Sequence, residues 1–524
     1  MNNSSKKTAY VRAGFLSLCA ASAFTSSSHA GGSDIWFEPL TESAPVVAPN
    51  DLEELMEPWV TPSGISQFNI VSLREVEDAV LSPLQSVVRV PIGNNSSMFD
   101  MMAYDDTGSF LFIPHETAFG AGVSRHDIEA RSTEVIFQGD WGGAQGNWSN
   151  DYGAFDPCRF TPNGTLFLAE EWTAEGRVIE VLNPFAAPED VETRELNSIA
   201  NVAHEGINFS EQDKRVIYYI DEWNSGSIYK FVMSRPGDYT RGQTFALKVD
   251  DYQGVAADLW NDPSNENAVR TGLATWVPLT DRSGNVLPGI TDPFRNGPTN
   301  DPRSSDVTRG GRPAADDVGA TPYGRPEDME VSRLANGNEV LYIAVTSEKK
   351  VYSFEILSDS KVKVGVLASA DTLKNVGYAG TTGELNSPDN LAQDAIGNIY
   401  IIEDAPNNSD IGGDIWFARD VDNDGVAESL DHFMSIRVDG SEATGMIFNP
   451  VNPFEFVVAV QHPDSTDLVE VPDGLGDAVW KFDISDRDFE RAVKLAEKRS
   501  HDRGKGRKYG HHKGDDHPGK SKKR

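Results

Sequence analysis

The chain is poor in cysteine, with two in 524 residues, Cys19 and Cys158. So few thiols exclude a disulfide-stapled scaffold and a four-cysteine zinc site. Positive charge is also scarce. Lysine and arginine number 46 against 81 aspartates and glutamates, and the net charge is −35. Residues 31–490 carry −47 once the +3 of residues 1–30 and the +9 of residues 491–524 are set apart. So acidic a body repels a phosphate backbone, which excludes nucleic acid as its partner. It suits a protein that works in salty water or holds many cations. Long apolar runs are missing: the run at 13–24 is too short to span a bilayer and no later segment could, so the chain is not membrane-spanning. Helical periodicity is confined to one pattern, capped by Asp486 and running to Lys498. With 39% hydrophobic residues and a mean hydropathy of −0.42, a soluble protein with a packed core is expected.

The two ends differ from the body. Lys6, Lys7 and Arg12 precede or flank the apolar run, which leads to Ser28-His29-Ala30. That is the pattern of a secretory signal peptide over residues 1–30, cut after Ala30, and it implies a periplasmic or secreted protein. Cleavage leaves Cys158 as a lone thiol without an internal partner. A buried small hydrophobe and a metal ligand are both open readings of it, and its acidic company favours the ligand. Residues 31–95 are punctuated by proline and read as a wrapping segment, with 86–90 as a ring-closing strand. Residues 486–524 read as a short helix followed by a disordered basic tail carrying His501, His511, His512 and His517.

What the body does contain is a repeated plan. Six stretches, at 99–116, 156–171, 204–222, 326–348, 388–404 and 442–462, run from an acidic or thiol residue through an apolar strand, a Gly/Asn/Asp turn and a second apolar strand, often to another acid. A third strand follows at 177–181, 227–231, 351–354, 415–417 and 479–482. Short strands with period-two alternation and turn residues between them indicate all-β repeats. One such sheet cannot bury both faces alone, whereas about six stacked around an axis do. The expected fold is therefore an all-β, six-bladed β-propeller over residues 96–485. Residues 251–324, rich in Pro, Gly, Asn, Asp and Arg, break the rhythm and are expected to form a lid-like insertion over its mouth.

The start of one antiparallel strand and the end of its partner lie at the same edge of a sheet. Glu205, Glu327, Asp389 and Glu442 stand before first strands, and Glu171, Glu222 and Glu403 stand after second strands. In a propeller both positions fall at one mouth, near the axis. Hard cations such as Ca2+ take about six to eight oxygen ligands, and these acids are candidates, with Cys158 as a candidate sulfur. Arg325, two residues before Glu327, could hold an anionic substrate through its fork, the alternative being a salt bridge to a neighbouring carboxylate. For His204 and His462 a role orienting carboxylates is favoured over ligation. Separately, Asp420, Asp422, Asp424, Gly425, Glu428 and Asp431 fit a twelve-residue calcium loop without flanking helices. A peripheral calcium turn and a plain polar hairpin both fit that pattern.

Several of these elements occur in an order that resembles the PhoX family of secreted bacterial alkaline phosphatases. They are His204-Glu205-Gly206, Tyr219-Ile220-Asp221-Glu222, Arg325-Pro326-Glu327-Asp328, Ser387-Pro388-Asp389-Asn390-Leu391, Glu442-Ala443-Thr444-Gly445 and Gln461-His462-Pro463. The resemblance covers most of 97–485. It implies a six-bladed propeller with a clustered iron and calcium centre. Fe3+ would be held partly by Cys158, with carboxylates matching Glu205, Asp221 or Glu222, Glu327 and Asp389, and Arg325 would contact phosphate. The family's longer cysteine segment is shortened here to Cys158-Arg159-Phe160-Thr161-Pro162-Asn163-Gly164-Thr165, and Lys6-Lys7 stands where many members have an arginine pair. Export by the general pathway, with metal acquired outside the cytoplasm, is then expected. The implied activity is that of a metal-dependent phosphomonoesterase acting on a small phosphorylated substrate, and a closed propeller, having little need of partners, is expected to be a monomer. The competing readings are a calcium-dependent propeller lactonase, resembling gluconolactonase-type enzymes, and a non-enzymatic calcium-stabilised binding propeller.

Overall fold

Runs such as Val216-Ile217-Tyr218-Tyr219-Ile220 favour strands because β-branched and aromatic side chains pack well on a pleated surface. In a computed structural model of the chain they are strands. The structure describes residues 35–46, 57–72, 75–76, 99–172, 175–265, 267–294, 309–404, 413–438, 440–461 and 477–508. The chain divides into Met1–Gly32, which falls outside these residues, and Ser33–Arg524. The signal-like segment, the strand expected at 86–90, His462 and the tail beyond 508 also lie outside the described residues.

Two strands come first, β1 (Trp59–Val60) and β2 (Ile65–Ser72). Next comes a meander of β3 (Ala103–Tyr104), β4 (Phe110–Pro114), β5 (Gly122–Asp127) and β6 (Ser132–Gln138). The second meander is β7 (Phe155–Phe160), β8 (Leu166–Glu170), β9 (Val178–Val181) and β10 (Thr193–Glu195). The third is β11 (Ile207–Phe209), β12 (Val216–Ile220), β13 (Ile228–Met233) and β14 (Gly242–Val249). After β15 (Gly272–Pro278) and helix α1 (Gly311–Asp317) comes the fourth, β16 (Pro326–Arg333), β17 (Glu339–Val345), β18 (Lys350–Ile356) and β19 (Lys361–Ser369). The fifth is β20 (Pro388–Gln393), β21 (Ile399–Glu403), β22 (Asp414–Arg419) and β23 (Ser429–Ile436). The sixth is β24 (Glu442–Phe448), β25 (Glu455–Gln461) and β26 (Ala478–Ile484), before helix α2 (Arg487–Lys508).

The architecture is all-β and propeller-like. Strand β2 pairs with β26 and completes the last sheet from the start of the chain, while β1 adds an outer strand to the fifth. Pairing in this way covers sheet edges that would otherwise template aggregation. Strand β15 pairs with β14 on one side and β19 on the other, which fuses the third and fourth meanders into one nine-stranded sheet. This corrects the expectation of a lid for that part of 251–324. Ala274 and Trp276 are buried while Leu273 is 55% exposed, an alternation that suits a strand bound into a sheet.

Apolar clusters fill the spaces between neighbouring sheets. One joins Phe112 and Ile136 of the first meander to Cys158, Leu166 and Leu168 of the second. The Asp486 carboxylate caps α2 by accepting from the Phe489 amide at 2.9 Å. Phe489 then packs on Trp36 with ring centroids 4.8 Å apart.

One irregularity recurs and positions the site. In the second meander Phe155 pairs with Glu170 and the next pair is Cys158 with Leu168. In the fourth, Pro326 pairs with Val345 and then Met329 with Ile343. In the fifth, Pro388 pairs with Glu403 and then Leu391 with Ile401. Each time the first strand advances one residue more than its partner, a β-bulge that re-aims side chains. Asp156, Glu327 and Asp389 sit in these bulges.

Candidate metal centre

Each meander opens with one acid at or just before its first strand: Asp100, Asp156, Glu205, Glu327, Asp389 and Glu442. The ends of second strands add Glu116, Glu171, Glu222 and Asp404. These ten carboxylates form one electrostatic network. Asp100 feels Asp156, Glu116 and Glu442, and Glu171 feels Glu222, Glu116 and Asp156. Glu205 feels Asp156, Asp389 and Glu222, while Asp404 feels Glu442 and Asp389. Burial, and then neighbouring negative charge, pushes Asp100, Glu171, Glu205, Glu327 and Asp389 well above the usual carboxylate range. Burial carries Asp156 and Asp404 up to about 7. Carboxyl groups this crowded ionise together only when protons or cations lie between them.

Two triads bring oxygens within 4.8 Å of one another: Asp156, Glu171 and Glu205, and then Glu205, Glu222 and Glu327. Glu205 belongs to both. Buried oxygens of Asp100, Asp156 and Glu327 have no hydrogen-bond donor. An unmatched buried oxygen is costly, and three at one place point to a missing positive partner. Neutral groups trim the rest of the network. The Thr346 hydroxyl donates to Glu327 Oε1 at 2.5 Å and approaches the Pro388 carbonyl at 2.8 Å. Gln461 Nε2 donates to Asp100 and, at 3.2 Å, to Glu116.

Arg325 is the cation of this network. Its Nε lies 2.5 Å from Glu222 Oε1 and 3.2 Å from Glu327 Oε1, while Nη1 approaches Asp404 at 3.7 Å. The side chain is 39% exposed, in contrast to the buried Glu222 and Glu327. The residue adopts a left-handed φ of 59°, uncommon outside glycine. Ten carboxylates and one guanidinium leave a formal charge of −9 if all are ionised.

Of the residues expected from sequence, Glu171, Glu205, Glu222, Glu327, Asp389 and Glu442 are brought together. Asp221, Glu403 and Cys158 are not. Asp221 forms a two-point ion pair with Arg312 of α1, at 2.6 and 2.8 Å. Glu403 accepts from the amides of Asn386 and Ser387 and from Trp416 Nε1 at 2.9 Å. Cys158 is 2% exposed among apolar side chains, and burial pushes its thiol up. Asp100, Glu116, Asp156, Asp404 and Gln461 were missed as site residues. All five belong to the repeated acid–strand–turn–strand plan, which was the signal for them. His204 is buried, and burial lowers it to about 3 against a smaller opposing effect of the Ala200 backbone.

The second calcium candidate is different in kind. Oxygens of Asp420, Asp422 and Glu428 lie within 4.8 Å of one another, half-buried or exposed. Asp420 accepts from the Asp424 and Gly425 amides at 3.1 and 2.7 Å, and Glu428 from the Val421 amide at 2.8 Å. Asp424 accepts from the Val426 amide at 3.0 Å, and Asp431 is turned inward onto Arg419 at 2.8 Å.

Among known proteins, the family described as alkaline phosphatase PhoX matches residues 132–464, more than half of the chain. No curated protein sequence matches the chain. Among solved structures, the PhoX of Pseudomonas fluorescens in complex with vanadate, a transition-state analogue, is similar at a TM-score of 0.56 and 14% identity, over 86% of this chain and 98% of that one. A gluconolactonase of Xanthomonas campestris reaches a TM-score of 0.39 at 8% identity, over 87% of this chain and 99% of that one. The first likeness speaks to the fold, and the second is too distant to carry an argument. By the extent and position of the match, the chain belongs to the PhoX family of alkaline phosphatases.

Proposed function

We propose that the protein is a metal-dependent phosphomonoesterase working outside the cytoplasm, and that its six meanders are six blades arranged around the carboxylate network. The observation that carries this reading is the charge at the mouth. A phosphate ester is an anion, and ten carboxylates against one guanidinium would repel it. The network becomes a phosphate site once cations offset its charge. The donors are carboxylate oxygens, several buried and unmatched. Such donors suit hard cations, so Ca2+ fits them. An Fe3+ held by a thiolate does not fit, because Cys158 stands in the apolar core.

Bound cations supply neutralisation of the phosphate oxygens and activation of an oxygen nucleophile. The chain's own part is positional. Glu205, shared by both triads, would tie two cations together. Thr346 holds Glu327 in place, and Gln461 does so for Asp100 and Glu116. With Glu222 and Glu327 engaged by cations, Arg325 would turn its fork to the phosphate oxygens and hold the transferred group. Its partial exposure supports a role in meeting the substrate. The test is hydrolysis of p-nitrophenyl phosphate by the full-length protein before chelation, after it, and after Ca2+ is returned. Loss and recovery of turnover are expected. No turnover in metal-replete protein would remove the phosphatase reading.

A further inference from the structure

We infer that the cation centre is built from oxygen alone, with Asp156 as the ligand contributed by the second meander and Cys158 as a packing residue that takes no part in it. This rests on the proposed function only in that cations occupy the carboxylate network. The argument comes from comparing the chain with itself. Two residues after each first-strand acid stand Met102, Cys158, Ile207, Met329, Leu391 and Thr444. Met102, Ile207, Met329 and Leu391 are buried apolar side chains. Thr444 is also buried and spends its hydroxyl on the Phe99 carbonyl at 2.9 Å. Cys158 fills the same slot, so its position is one that the fold uses for packing.

The pairing register enforces this. Cys158 opposes Leu168 just past the bulge, as Met329 opposes Ile343 and Leu391 opposes Ile401. The thiol lies past the bulge, further along the strand from the mouth than Asp156, which sits within it. Phe112, Ile136, Phe155, Leu166 and Leu168 share the thiol's cluster. A side chain packed in this way cannot swing to the network without vacating a cavity. Asp156 meets the opposite description. Its oxygens come within 4.8 Å of Glu171 and Glu205, and its buried Oδ1 has no donor. The aspartate therefore takes the place where a sulfur ligand would stand, and the centre selects hard cations by its donors.

The experiment uses the full-length protein loaded separately with Ca2+ and with Fe3+. Bound metal per chain is measured by elemental analysis, and the iron-loaded form is scanned for visible absorption. Cys158→Ala is expected to keep the cation count and spectrum of the unaltered chain. Asp156→Asn is expected to lose a bound cation or to weaken binding by about tenfold or more, and Asp156→Glu to restore much of it. Removing one charge from so crowded a network should leave folding intact, which circular dichroism checks; Asp156→Glu serves if it does not. A Cys158→Ala protein with native circular dichroism that loses a cation, or an absorption band of the iron form, would overturn the assignment. So would an Asp156→Asn protein with its full complement, or an unaltered chain that binds neither metal. An unaltered chain that binds cations but hydrolyses no phosphate ester removes the phosphatase reading and leaves this assignment to the metal counts.

Discussion

Glu170, Asp221 and Glu403 each stand one residue before Glu171, Glu222 and Asp404, and the two sets are opposite kinds of acid. Successive side chains on a strand point to opposite sides, so of each adjacent pair one carboxylate turns toward the network and the other away. Those turned away are fully partnered. Glu170 receives the Arg177 amide at 3.0 Å and its guanidinium at 2.7 and 2.6 Å. Asp221 has Arg312, and Glu403 has two amides and an indole. Those turned inward face other carboxylates and share one cation, Arg325, at 2.5 Å from Glu222 and 3.7 Å from Asp404. The partnered set is fully buried, whereas of the inward set Glu222 is buried and Glu171 and Asp404 are half-buried, so deeper burial marks structure here rather than chemistry. The inventory of partners draws the same line.

The comparison breaks most sharply at Glu205 and Glu170. Glu205→Gln neutralises the carboxylate shared by both triads. Turnover of p-nitrophenyl phosphate should fall by about 10³-fold or more, with bound metal reduced and the fold retained. Glu170→Gln should do the reverse. It leaves Arg177, which is 3% exposed, with only the more distant Glu195 carboxylate at 3.9 Å as counter-charge, at a cost of about 3 kcal/mol of stability. Turnover per folded molecule should stay within a few-fold. Urea melts and active-site counts on the same preparations separate the two outcomes.

Arg325 comes next in size. Arg325→Ala should lower kcat/KM for the phosphate ester by about 10²- to 10³-fold, and Arg325→Lys should recover only part because a lysine lacks the fork. An unchanged kcat/KM in Arg325→Ala would return that residue to the partnered set, as a salt bridge and nothing more.

A third difference is in pH. Burial, with neighbouring carboxylates adding to it, sets Asp156 and Asp404 at about 7 in the folded chain, against about 4 in an unfolded one. Folding therefore favours their protonated forms. That contribution is full below about pH 4 and is lost as pH rises toward about 7. Metal-free protein should melt several degrees lower at about pH 8 than at about pH 6, and saturating Ca2+ should erase the gap. A gap unaffected by Ca2+ would place its origin outside the network.

Much of this was legible in the sequence. The acid–strand–turn–strand plan is a local pattern, and geometry alone carries strand starts and partner ends to one edge. Six of the acids named from that plan do meet. Other features depended on facts no local pattern holds. Alternation says that Glu403 and Asp404 point apart but not which one points inward. That choice is made by Trp416 and the Asn386 and Ser387 amides, which claim Glu403. The bulges that aim Asp156, Glu327 and Asp389 are marked only by the adjacent Pro157, Pro326 and Pro388, which do not say where the neighbouring acid turns. Strand β15 is hidden in a stretch rich in turn residues, and its partners β14 and β19 lie far apart in the chain. Acidic company makes Cys158 resemble a ligand, whereas its register, which matches those of Met329 and Leu391 in their own meanders, assigns it to the core.

The smallest expected effect concerns the loop from Asp420 to Glu428, which looks like a cation site in sequence yet holds itself together. Asp420, Asp424 and Glu428 already receive backbone amides, so the hairpin does not require an ion to satisfy its acids. Asp422 is exposed. Asp422→Ala should therefore shift the melting temperature by no more than ~2 °C and leave the gain on adding Ca2+ unchanged. Asp389→Asn, in the network, should cut that gain sharply, because a cation that binds only the folded state stabilises it by mass action. If instead Asp422→Ala removed the calcium gain and Asp389→Asn did not, the stabilising cation would sit on the hairpin, and the carboxylate network would have to be held by protons.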